Sequence, residues 1–113
     1  MSLLDINIGA VREYSEATVA GDTNRQDAAL ARLASNAEDF GAFLSGINPH
    51  LSESTVRGLI AAHGAHHVLQ INQYKKKEYA RLDETWKMMR EHVYVIADTI
   101  TEALVKQFPE RLS

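Results

Sequence analysis

A chain of 113 residues, 45% apolar and 24% charged, falls in the size range of one domain that buries its own core, here residues 1–113. Its net charge of −3 argues against a dedicated nucleic-acid binder, which concentrates Lys and Arg against phosphate. The absence of cysteine excludes disulfides, iron–sulfur clusters and thiolate zinc, so any metal ligand must be His, Asp, Glu or Met.

Apolar residues recur at spacings of three and four, without strand alternation or hairpin turn dipeptides, and the chain reads as all-α. A first helix over about 3–20 sets Leu4, Ile8, Val11, Ser15 and Thr18 on one face, and Gly21-Asp22 stops it. Asn24, with Asp27 three residues on, is the expected N-cap of a second helix over about 25–46. That helix turns Leu30, Leu33, Ala37, Phe40 and Leu44 inward, and Gly46 and Asn48-Pro49 close it. Ser52 caps the third. On this helix Val56, Ile60, His63, His67, Ile71 and Tyr74 share a face. On the fourth, Trp86, Met89, Val93, Ala97, Ile100 and Leu104 do. The second stripe runs ahead of the first by roughly 90° at about 100° per residue, which places a turn near 76–82 although no Gly or Pro marks it. The run Lys75, Lys76, Lys77 with Arg81 then reads as a solvated helix end.

Leu44-x4-Pro49 and Leu104-x4-Pro109 close the two halves sixty residues apart, and Ala37 matches Ala97 at the same offset. The expected architecture is an antiparallel up-down four-helix bundle of two related hairpins, about 3–48 and about 52–108. His63, Gln70-Ile71-x2-Tyr74, Arg90-Glu91-His92, Ala97-Asp98-Thr99 and Val105 to Pro109 lie in the second half. Gly21-Asp22 and Phe43-Leu44-x3-Asn48-Pro49-His50-Leu51 lie in the first. On these residues nearly the whole chain resembles a helical-hairpin repeat of uncharacterised, often exported, bacterial proteins. The resemblance implies a helical repeat and brings no activity with it. No apolar run approaches the roughly 18 residues of a membrane span, and a soluble chain is expected. The opening Met-Ser-Leu is also what a trimmed leader would leave, so export stays open.

Three of five histidines fall within LIAAHGAHHVLQINQY. His63 and His67, four apart, share one helix face about a turn from each other, the spacing that lets two imidazoles reach one metal ion. His66 and His92 flank their helices, and a turn near 78 brings them level. His63 and His67 are therefore the candidate primary ligands for Zn, Ni, Cu or Fe, with His66 or His92 as a third. The competing reading makes them core hydrogen-bonders, with Gln70, Tyr14, Asn7, Ser15 and Thr18 as partners. H-x-x-x-H lacks the glutamate of H-E-x-x-H hydrolases, E-x-x-H pairs are missing, and no Walker, dinucleotide or nucleophile-elbow motif occurs.

Glu91, Asp98, Glu13, Glu16, Asp27, Glu38 and Asp39 read as solvating. Trp86 and Met89 read as core, with Met88 a partly exposed neighbour. Ala34, Ala37 and Gly41 leave inner volume for imidazoles or a small ligand. Val68 and Leu69 make the third helix apolar off its main face, which suggests a homodimer or a larger assembly through helices three and four. Two functions follow: a small non-catalytic binding protein that holds a metal through core histidines, or a metal-free interaction module. An enzyme with His63 or His67 as general base has no accompanying nucleophile or orienting acid.

Overall fold

The computed structural model describes residues 2–109. Met1 and residues 110–113, which the single-domain expectation includes, lie outside the described residues. Four helices follow one another, α1 (Leu3–Ala20), α2 (Thr23–Ile47), α3 (Glu53–Lys75) and α4 (Tyr79–Gln107), with no strand among the described residues. Each runs antiparallel to the one before it, in the expected up-down order. No helix among the described residues is long and apolar enough to cross a membrane.

Local chemistry sets the ends. Ser2 and Asp5 form a reciprocal capping box at the start of α1, and Gly21 ends that helix at φ 69°. The cap of α2 is Asp22 rather than Asn24, because the chain re-enters a helix directly after Gly21 and the Asp22 carboxylate accepts from Arg25 N at 3.1 Å. Ser52 accepts from Thr55 N at 3.1 Å to open α3. The unmarked turn lies at Lys76–Glu78, inside the expected range, and bends through Lys77 at φ 60° without glycine.

The first three helices pack tightly on small residues. Ala10 and Ala17 of α1 and Ala29, Leu33 and Ala37 of α2 are all buried where these helices pack. Gly41 lets α3 approach so closely that a Cβ there would stand 2.8 Å from the Glu53 carbonyl oxygen. The inner volume expected at Gly41 is thus filled by Glu53 and Arg57 of α3, not by imidazoles; Ala37 is buried, and Ala34 is exposed. Alanines bury little apolar area, so polar pairs matter here. Asn36, 1% exposed, accepts from Asn7 Nδ2 at 2.9 Å and donates to Leu3 O at 2.9 Å. Tyr14 donates to Asn72 Oδ1 at 3.1 Å, tying α1 to α3, and Gln26 donates to Thr18 Oγ1 at 2.8 Å.

This packing turns α1 away from its expected face. Asn7, Ala10, Tyr14, Ala17 and Thr18 are buried, whereas Leu4 and Ile8 are exposed. Leu30 is likewise exposed on α2, and Phe40 and Leu44 are half-buried.

α4 packs against α3 and brings its backbone near neither α1 nor α2. At one end Ala103 joins Leu51 and Val56 in an apolar cluster with Phe40, Leu44 and Ile60 around it, and Gln107 Nε2 donates to Ile47 O at 2.9 Å. Elsewhere the ring of helices is open between α1 and α4, and the molecule measures 51 × 30 × 20 Å. Met89 is buried, but Trp86, Val93, Ala97 and Leu104 are exposed, so the expected core role of Trp86 is not what the fold gives it. Met88 is exposed, as a neighbour of the core.

Candidate functional site

The opening between α1 and α4 forms a groove of about 650 Å³ with α3 as its floor. Ser15, Thr18 and Val19 of α1 make one wall, Tyr79, Leu82 and Trp86 of α4 the other, and His67, Gln70, Ile71 and Tyr74 lie between. At about 100° per residue, Leu4, Ile8 and Val11 continue the α1 wall toward its N-terminus. Val93, Ala97 and Leu104 continue the Trp86 stripe of α4. Val19 is 81% exposed and Trp86 54%. The stripes assigned to the core by periodicity therefore flank a gap.

The groove has one charged end, where Lys75 and Lys77 line it. Lys75 donates to the Thr18 carbonyl, and none of Lys75, Lys76 and Lys77 takes part in an ion pair among the described residues. Tyr74 and Tyr79 meet edge to face across the α3–α4 turn, with ring centroids 6.3 Å apart.

The histidines sit on the α3 floor and its α4 flank. His63 Nε2 and His67 Nε2 are 3.1 Å apart, one N–H donating to the other nitrogen, with ring centroids at 4.7 Å. His66 and His92 approach edge to face at 5.2 Å, as antiparallel pairing of α3 and α4 requires. The expected hydrogen-bond partners on α1 are engaged elsewhere: Asn7 with Asn36, Tyr14 with Asn72, and Thr18 with Gln26. The Nδ1 atoms of His63, His66 and His92 and Nε2 of Gln70 are enclosed without a hydrogen-bond partner.

Burial lowers the His63 pKa below the usual imidazole range, and nearby His67, His92 and His66 lower it further. Burial also lowers His67, with Gln70 opposing and His66 reinforcing the shift. His92 is lowered by burial and by His66. The seam thus favours neutral imidazoles, the form that can ligate a metal or accept a hydrogen bond. Among the described residues no group of three or more His, Asp or Glu side chains is arranged to hold a metal ion.

Sequence reasoning found the histidine pairs and missed the groove walls at Val19, Tyr79 and Leu82. The available signal was the phase of the α1 and α4 stripes, which differs from that of the small residues on which the first three helices close. No protein-family model, curated protein or solved structure matches this chain.

Proposed function

We propose that the protein is a non-catalytic binding module that seats an amphipathic helix of another polypeptide between α1 and α4. The seated helix is apolar on the face toward Ile71 and Trp86 and acidic at the end that meets Lys75 and Lys77. The observation that carries this reading is the turning of apolar stripes from α1, α3 and α4 toward one gap. Contiguous apolar surface of this kind favours a partner, and a helix laid in a groove is a standard way to cover it. The lysines carry no ion pair among the described residues and add complementarity toward a partner's carboxylates.

Calorimetric titration with two designed amphipathic helices, one flanked by Glu and one by Lys, tests the reading. The acidic peptide is expected to bind, the basic one to bind weakly, and Ile71→Asp in the floor to abolish binding. Failure of the acidic peptide to bind, or indifference to Ile71→Asp, contradicts it.

A second reading, metal binding at the histidines, is favoured by the 3.1 Å separation of His63 Nε2 and His67 Nε2. Two nitrogens about 2.0–2.1 Å from one zinc ion stand roughly 3–3.5 Å apart near tetrahedral angles. The pair supplies two ligands, and no third His, Asp or Glu among the described residues is arranged to complete the set. Zn, Ni or Cu affinity lost in the His63→Ala/His67→Ala double variant supports this reading, and unchanged affinity removes it.

A further inference from the structure

We propose that the helix covering the groove is α4 of a second copy of this chain, antiparallel to the first, so that two molecules close each other's gap. The inference rests on the docking reading above and names its occupant.

Charge along the chain supplies the first argument. Residues 79–90 of α4 carry Arg81, Lys87 and Arg90 against Asp83 and Glu84, a net charge of +1, and Lys75, Lys76, Lys77 and Glu78 stand just before them. Residues 91–107 carry Glu91, Asp98 and Glu102 against Lys106, a net charge of −2. Within the fold only Arg81 and Glu78 of these pair, at 2.9 Å, among the described residues. A two-fold axis across α4 sets the basic half of each helix against the acidic half of its partner, whereas a parallel arrangement sets like charge on like.

The second argument is the length of the exposed stripe. Trp86 and Leu104, with Val93 and Ala97 between them, stand 18 steps apart along α4, about 27 Å at 1.5 Å per residue. The groove reaches only Trp86, where a second depression of about 570 Å³ begins and continues past Val93 and Tyr94. A ligand confined to the groove leaves the rest of the stripe bare. The 29-residue α4 of a second copy is long enough to cover both, and a two-fold contact requires a patch that faces itself, as this stripe can. Glu91 and Asp98 are exposed on α4, to the outer side of this stripe.

Sedimentation equilibrium of the full chain tests the inference, with two exposed charge-reversal variants. One carries Glu91→Lys, Asp98→Lys and Glu102→Lys; the other carries Lys76→Glu, Lys77→Glu and Lys87→Glu. The unaltered chain is expected to show a monomer–dimer equilibrium at low salt. Each variant, helical by circular dichroism, should dimerise at least about tenfold more weakly. An equimolar mixture of the two should recover association as a heterodimer, and a chain carrying all six changes should recover it as a homodimer.

A monomer at every concentration overturns the inference, as does a dimer indifferent to both reversals. The acid-flanked peptide separates the two failures. A monomer that takes the peptide removes the second copy and keeps the groove as a binding site. A monomer that does not take it removes both.

Discussion

The packing of α1, α2 and α3 on one another and the contact of α3 with α4 are made of different materials. In the first, alanines and Gly41 bring backbones close, and Asn7, Asn36, Tyr14, Asn72, Thr18 and Gln26 have their side-chain hydrogen bonds made. In the second, Thr85 and Gln73 pair at 2.8 Å, but the imidazoles lean on one another and three Nδ1 atoms lack partners. Small buried residues and matched amides specify one arrangement, because any shift opens a void or strands a polar atom. The α3–α4 contact is narrower and leaves Trp86, Val93, Tyr94 and Leu104 of α4 exposed. The difference teaches that an apolar stripe says which residues want cover, and the small residues say which neighbour arrives first.

Substitutions that compare the two contacts should differ in size. Asn36→Ala strands Asn7 Nδ2 in the closed contact and removes a second donor from the Leu3 carbonyl, and a loss of about 2–3 kcal/mol in urea unfolding is expected. A loss below about 0.5 kcal/mol would show that this contact is looser than its geometry implies. Gly41→Ala forces α2 and α3 apart against the Glu53 backbone and should cost about 1–3 kcal/mol.

Acidification addresses the other contact. The native pKa values of His63, His67 and His92 lie below the usual imidazole value of 6.5, so below that pH the unfolded chain binds more protons than the native one. Stability from these groups is present above pH 6.5 and is lost as pH falls from there through the native values. The melting temperature should drop over that interval, and His63→Phe should flatten the drop. A melting temperature level over that interval would contradict the buried, neutral seam. The smallest effect is expected in the open stripe. Trp86→Ser in dilute protein should change stability by no more than about 0.5 kcal/mol, while weakening self-association.

The helices and most of their ends were legible because capping is local chemistry: Gly21, Asn48-Pro49 and Ser52 act within a turn of where they stand. Asp22 was misread because one residue follows the stop of α1 and also caps α2. The pairing of His63 with His67 followed from a spacing of four, and that of His66 with His92 from the antiparallel turn. The faces were less legible. Leu4, Ile8, Val11, Ser15 and Thr18 keep a helical period, yet of these only Thr18 is buried, and Ala10 and Ala17 take the interior beside it because backbones can approach there and Asn7 finds Asn36. That partnership is 29 residues away in sequence, beyond the reach of any local pattern. For the same reason Trp86 looked like core, although α1 never closes over it.

The account turns on whether a helix occupies the gap between α1 and α4, and Trp86, the single tryptophan, stands in its wall. The most direct measurement is its fluorescence emission in dilute protein as the acid-flanked amphipathic peptide is added. The account predicts a saturable shift to shorter wavelength as the indole leaves water, absent in Ile71→Asp. Emission that stays at the solvent-exposed wavelength through the titration would contradict it.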